Sequence, residues 1–368
     1  MNKKFAVSFI AGISLSAAAL YFAFKNVPFS GLFRYLTSIN YYWVLPAVLV
    51  TLISFILRAV RWRIILESAK KISVARAFHP MMIGFMINCV LPGRLGEVAR
   101  PVILQKEEKV PFATGLATVA AERIFDIGFL ILLFMLTAGM LRIDPHQNVV
   151  FGRFQLNQES LQAIFGGMLK LGAVLLAGII MFSIGRIREV IYTAIMFVPT
   201  LFFFAGQRFR SSFKKKICEP VIGILQNIAQ GFALIKYPKK IFLCAFFSVL
   251  IWGLQAFSYY LFSLGSPGIN LTYPEMAATL AIICLFISLP SVPGWWGLWE
   301  AGGVFALSLF GVTAEEAAGF TLANHALQVF PVIIVGLASA LYLSVNIRRM
   351  SYVSKNYRPA NPSVNPNE

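Results

Sequence analysis

Residues Leu91 to Pro101 read LPGRLGEVARP, which places two prolines, two glycines, two arginines and a glutamate inside sequence that is otherwise apolar. Backbone lying in hydrocarbon must pair its own polar groups, so an interruption of this kind is tolerated only where protein or a water-filled cavity surrounds it. The stretch therefore marks a site. Pro92 removes a donor and resists helix, while Gly93 and Gly96 permit a sharp turn or a close backbone approach. Glu97 is predicted in the first turn of a new helix, where its charge suits the positive end of the dipole, and Arg100 follows about one turn later on the same face.

The surrounding composition says what kind of molecule carries this break. Of 368 residues, 58% are hydrophobic and 13% charged, and the mean hydropathy is +0.75. That is a polytopic membrane protein, with several runs reaching the roughly 20 residues a crossing needs. The start, Met-Asn-Lys-Lys before an apolar run, resembles a signal peptide but lacks a small-residue cleavage site, so it reads as a retained helix with a cytoplasmic N-terminus. A net charge of +17 raises nucleic acid as a partner. The basic residues instead cluster at Lys3–Lys4, Arg58–Arg76, Lys106–Lys109, Arg186–Lys240 and Arg348–Arg358, as loops on the cytoplasmic side of an inner membrane do. Anionic lipid headgroups are then the expected partners of these clusters, nucleic acid is not, and the C-terminus is also cytoplasmic. Cys89, Cys218, Cys244 and Cys284 show no CxxC spacing and read as buried thiols, and no metal or cofactor is expected.

The fold class that follows is all-α, with about six full spans, two re-entrant helical hairpins and an inverted repeat. Residues 1–350 form one integral membrane domain and 351–368 a disordered cytoplasmic tail. Spans are expected at Phe5–Phe24 and at Tyr41–Leu57. The second ends in Arg58, Arg61, Trp62 and Arg63, whose spacing faces either lipid headgroups or a partner carboxylate. The apolar runs on either side of the break are too short to cross, which makes residues 78–105 the first hairpin. Ala113–Leu141 is long enough to span yet contains Glu122, Arg123 and Asp126. At roughly 2.5 to 3.5 kcal/mol per charge near the helix centre these must face inward, as a structural ion-pair cluster or as the polar part of a transport site.

Beyond an external loop at Arg142–Ser160 and a span at Leu161–Ile184, residues 186–240 read as basic interfacial helices, with 191–205 apolar enough to insert. A span at Ile241–Leu261 leads to the second hairpin, 274–310. It is broken at Pro290-Ser-Val-Pro-Gly-Trp-Trp-Gly-Leu-Trp-Glu, and a last span runs over Ala317–Val345.

The two breaks align. Pro92-Gly93 and Pro293-Gly294 are each followed by glycine and then glutamate, Glu97 and Glu300. From the following Val110 and Val312, Glu122 and Arg123 fall at the same distance as Asn324 and His325. Hinges are therefore expected at Pro92, Gly93, Gly96, Pro290, Pro293, Gly294 and Gly297. The substrate path is expected along Asn88, Arg94, Glu97, Arg100, Glu122, Arg123, Asp126, Glu300, Asn324 and His325, as in inverted repeats with a midplane site.

At these residues the chain resembles the lysylphosphatidylglycerol synthase transmembrane-region family, the flippase-like membrane domain of multiple peptide resistance factors. The likeness rests on Asn88 with LPGRLGEVARP, on AERIFD at 121–126, on Trp252 and on the PxxPGxxGxxE run at 290–300. The resemblance implies a lipid flippase of the inner membrane. The aminoacyl-transferase domain of bifunctional relatives is expected to be absent, and the second motif reads GWWGLWE where many relatives are richer in glycine. Trp295, Trp296 and Trp299 either stack on a sugar or anchor at the interface. An intramembrane lipid-modifying transferase, or an accessory subunit working with envelope lipid or glycan enzymes, is the alternative. No P-loop, GxSxG or HExxH supports catalysis, so no catalytic residue is assigned.

Overall fold

The computed structural model describes residues 3–25, 27–91, 94–138, 149–151, 154–156, 184–201, 206–231, 237–289 and 292–344, with isolated helical positions between 166 and 177. The expected hinges Pro92, Gly93 and Pro290, most of the expected span at 161–184, and the tail 351–368 lie outside the described residues.

The helices are α1 (Lys3–Phe24), α2 (Phe29–Ser38), α3 (Val44–Leu66), α4 (Val74–Val90), α5 (Leu95–Glu108) and α6 (Phe112–Ala138). After a short strand pair follow α7 (Gly185–Leu201), α8 (Gln207–Phe213), α9 (Glu219–Gly231), α10 (Pro238–Leu264), α11 (Tyr273–Ser288), α12 (Leu298–Ser308) and α13 (Ala314–Tyr342). Several starts are written in the sequence. Ser73 caps α4 by accepting from the Arg76 N–H, Thr272 and Glu275 close a capping box on α11, and Thr313 accepts from Glu316 on α13; each side chain satisfies donors the first turn leaves free.

Two four-helix units repeat one packing plan. In the first, α3 packs on α4, α4 on α5 and α5 on α6; in the second, α10 packs on α11, α11 on α12 and α12 on α13. The units then exchange partners: α6 lies against α11, α13 lies against α4, and α3 and α10 form the most extensive pairing in the molecule. The aligned breaks are thus the turns of two hairpins, α4–α5 and α11–α12. Close approach explains the glycines. A Cβ on Gly96 would strike the Gly84 carbonyl of α4, and Gly294 and Gly297 hold φ of 69° and 91°, where an L side chain is strained.

The structure corrects several boundaries. Between the first two expected spans the chain forms α2; its Tyr35 is buried against Gly319 of α13 while Phe29 and Phe33 stay exposed. α3 continues past Leu57 to Leu66 and carries all three arginines within it. α4 begins at Val74 and accommodates Pro80. Within Arg142–Ser160, Val149–Phe151 pairs antiparallel with Phe154–Leu156. Among the described residues three helices are long and apolar enough to cross a membrane, Tyr41–Leu66, Pro238–Leu264 and Ala314–Tyr342. α6 has 27 residues but interrupts its apolar run with three charges.

Candidate functional site

Helical periodicity on the central pair builds the site. Thr51, Ser54, Arg58 and Arg61 recur at spacings of three and four on α3, as do Ser248, Trp252, Gln255 and Ser258 on α10, and all are buried. Residues so spaced share a helix face. The two faces meet.

At one end of this interface lies a cluster of charges. Arg61 Nη2 is 2.7 Å from Asp126 Oδ1 and 3.6 Å from Glu122 Oε1, and its Nη1 donates to Ser248 Oγ at 2.7 Å. Arg100 Nη2 donates to Glu122 Oε2 at 2.6 Å. Arg123 Nη2 lies 2.9 Å from Glu122 Oε1 and 3.1 Å from Asp126 Oδ2. Trp252 Nε1 donates to Asp126 at 3.2 Å. Arg58 has the weakest attachment, an ion pair to Asp126 at 3.7 Å, and its guanidinium lies over the Trp252 ring at 4.9 Å. Arg100 similarly covers Trp62 at 4.2 Å, contacts that favour a cation with little water near it.

The charge does not balance. Four guanidinium groups face two carboxylates at ion-pair distance, and the Glu97 carboxylate acts on Arg100 and Arg123 from farther off, which leaves an excess of one positive charge. Glu122 and Arg61 have no exposure, and only Arg123, at 30% of its side chain, opens outward. The Nε atoms of Arg58, Arg61, Arg100 and Arg123 are all buried without a hydrogen-bond partner among the described residues. Buried donors are nearly always satisfied by protein, water or ligand, and a buried net charge is costly unless compensated. The arrangement can therefore hold an anion.

At the other end sits a second polar group. His325 Nδ1 is 2.6 Å from Glu300 Oε1, and Nε2 is 2.8 Å from the Gly294 carbonyl oxygen. Glu300 Oε2 accepts the Gly297 N–H at 2.6 Å. Trp299 stacks parallel on the imidazole at 4.4 Å, and Trp296 covers it at 4.3 Å. Beside them the Asn324 amide, Thr321 Oγ1 and Trp299 Nε1 are buried without partners among the described residues.

A hydrogen-bonded cluster lies between the two ends. Gln328, one turn beyond Asn324 on α13, accepts from Thr51 at 3.2 Å and from Gln255 at 2.6 Å and donates to Ser258 at 3.2 Å. Ser54 bonds Gln255 at 3.1 Å, and Arg58 follows one turn along α3. Helical spacing thus sets this cluster between His325, three residues before Gln328 on α13, and Arg58, four residues beyond Ser54 on α3.

Measured against the sequence, Glu122, Arg123, Asp126 and Arg100 come together, and Glu300, Asn324 and His325 form the second group. Of the other expected path residues, Glu97 acts electrostatically on Arg100 and Arg123, whereas Arg94 and Asn88 take other partners. Arg94 is exposed, with its Nη2 on the Ile287 carbonyl at 2.7 Å, so it joins the two hairpins without touching Glu300, whose described partners are His325 and Gly297. Asn88 braces the first hairpin by accepting the Gly96 N–H at 2.7 Å. Glu97 is half-buried in the first turn of α5 and makes no ion pair among those described. Of the two roles open to the arginines ending the second span, Arg58 and Arg61 take the partner carboxylate, whereas Arg63 pairs with Glu67 at 3.0 Å. Sequence reasoning missed Thr51, Ser54, Ser248, Gln255, Ser258 and Gln328. Their helical spacing was the available signal, and isolated serines and glutamines do not stand out until the faces are seen to meet.

Comparison with known proteins follows this geometry. The family described as Lysylphosphatidylglycerol synthase TM region matches residues 9–336. The UPF0104 membrane protein of Pyrococcus horikoshii is 23% identical over 291 residues, 77% of this chain and 82% of the relative. That of Methanothermobacter thermautotrophicus is 24% identical over 320 residues, 85% and 87% of the two chains. Glycosyltransferase AglD of Haloferax volcanii is 23% identical over 360 residues, which cover 93% of this chain but 55% of the relative. No solved structure matches.

Proposed function

The chain belongs to the lysylphosphatidylglycerol synthase transmembrane-region family, and from that premise we propose that it moves a lipid with a phosphate-bearing headgroup between the leaflets of the cytoplasmic membrane. One observation carries the reading: a buried surplus of guanidinium groups whose Nε donors have no partner among the described residues. Arginine presents planar, paired donors that match phosphate geometry. The acyl chains stay in the bilayer while the headgroup follows the polar groups of this interface, which lowers the several kcal/mol that each bare charge costs in hydrocarbon.

In this reading the hairpins enter from opposite faces, both termini are cytoplasmic and the half-crossing helices meet at the midplane. The basic α7–α9 segment lies against anionic headgroups. Purified protein in liposomes is expected to speed the loss of a fluorescent phospholipid to an external quencher, relative to protein-free liposomes. Equal rates across several headgroups would defeat the proposal.

A second reading draws on the glycosyltransferase relative. Here the chain serves an envelope glycosylation or lipid-modifying system, with Trp295, Trp296 and Trp299 against a sugar. A new lipid species in extracts of cells carrying the protein favours that reading; unchanged composition with altered sidedness favours transport.

A further inference from the structure

We propose that the Glu300–His325 pair is a binding site for one exchangeable proton and that this proton holds the tip of the second hairpin shut. The Gly294 carbonyl can only accept, so the Nε2 that faces it at 2.8 Å carries a hydrogen. Nδ1 and Glu300 Oε1 stand 2.6 Å apart. Without a second hydrogen between them two lone pairs would meet at that distance, and a buried carboxylate would be left with no counter-charge. The pair therefore holds two protons in total and is neutral as a unit, whether the shared one is written on nitrogen or on oxygen.

Losing the shared proton to water converts this attraction into repulsion and leaves one negative charge in a site with no solvent exposure. With a single hydrogen left on the imidazole, Nδ1 facing Glu300 and Nε2 facing Gly294 cannot both be donors, so one of the two contacts must part. What moves is determined by what the pair ties together. Glu300 lies on α12 and holds Gly297 N–H, His325 lies on α13, and Gly294 lies in the turn between α11 and α12. That turn also abuts the end of α4, where a Cβ on Gly294 would stand 3.1 Å from the Cys89 carbonyl, and α1, whose Ser16 Oγ accepts from the Val292 N–H at 3.2 Å. Releasing His325 from Gly294 frees the junction of the two hairpins, next to the partnerless Asn324, Thr321 and Trp299 groups.

No other charged side chain is paired with the imidazole among the described residues. α12 presents Glu300, Trp299 and the adjoining Trp296. From α4 come Cys89 and, past the break, Arg94, which is engaged with Ile287. α3 and α10 present Thr51, Gln255 and Ser258, none of which titrates in the working range. The charge state of this site is thus the Glu300–His325 pair's own.

As a coupling device the site rests on the transport reading, but its test does not. Hydrogen–deuterium exchange of residues 293–300, corrected for chemical exchange, is followed across a pH series from acid to alkaline. In the wild-type protein, exchange is expected to accelerate several-fold as pH rises. Glu300→Gln supplies an N–H to Nδ1 permanently while its oxygen still accepts from Gly297, so its tip is expected to stay protected and independent of pH. Wild-type protection that does not change with pH, or a Glu300→Gln protein that follows the wild type, would overturn the proposal. Should Glu300→Gln not fold, the wild-type series decides alone. Lipid movement measured on the same preparations separates the two ideas: a pH-dependent tip without transport supports the proton site against the transport reading, and a pH-independent tip with transport does the reverse.

Discussion

Glu122, Arg123 and Asp126 on α6 take the same register as Asn324, His325 and Gln328 on α13, and the third member of each triplet faces the central α3–α10 pair. Asp126 reaches Arg61 and Trp252; Gln328 reaches Thr51, Gln255 and Ser258. Equivalent backbone has thus been given unequal chemistry. The first unit carries fixed charge with a cationic surplus, and the second carries neutral amides and one titratable pair. The repeated packing plan supplies two similar platforms, and in the proposed reading one holds an anion while the other responds to a proton.

The strongest way to break this comparison is to delete a side chain at one equivalent position in each unit. Glu122→Ala strips Arg61, Arg100 and Arg123 of a buried partner and is expected to cost about 3–5 kcal/mol in detergent unfolding. Asn324→Ala removes an amide whose nitrogen and oxygen lack partners among the described residues, and stability is expected to be unchanged or higher, because an unmade hydrogen bond is a penalty. Equal losses would mean the halves are not chemically distinct. The cluster between them comes next. Gln328→Leu leaves Thr51, Gln255 and Ser258 short of partners and is expected to cost about 1–3 kcal/mol by the same measurement.

Arg58→Gln sharpens the assignment further. It removes a buried surplus charge with the longest ion pair, 3.7 Å, and because Asp126 keeps Arg61 and Arg123 the loss of stability is expected to be smaller than for Glu122→Ala, while phospholipid movement in liposomes falls several-fold. The smallest effect is expected at Glu67, whose partners Arg63 and Lys240 are 39% and 30% exposed. Glu67→Ala should shift unfolding by about 0.2–1 kcal/mol, an effect that salt screens.

Much of this was legible in the chain. Two interruptions rich in proline and glycine forced hairpins, because hydrocarbon tolerates irregular backbone only where protein or water surrounds it. Charges on α6 had to face inward for the same reason. The register from Val110 and Val312 also placed Asp126 opposite Gln328, although that pair drew no notice in the sequence. What could not be read was partnership across the fold. Arg58 and Arg61 follow an apolar run as snorkelling residues do, and only the extension of α3 to Leu66 buries them against α6. Arg94 looked like part of the path because it sits in the break; its left-handed backbone, φ 53°, and its bond to Ile287 make it a link between tips. Local spacing shows which face a residue shares, whereas the identity of the opposing helix is a property of tertiary packing.

The most direct test of the anion seat is headgroup selectivity in liposomes, using fluorescent lipids with identical tails, one bearing phosphatidylglycerol and one an uncharged sugar. The account expects the wild-type protein to accelerate the phosphate-bearing lipid well above the neutral one, with that preference lost in Arg58→Gln. Equal acceleration of both lipids, or a preference that survives the substitution, would contradict it.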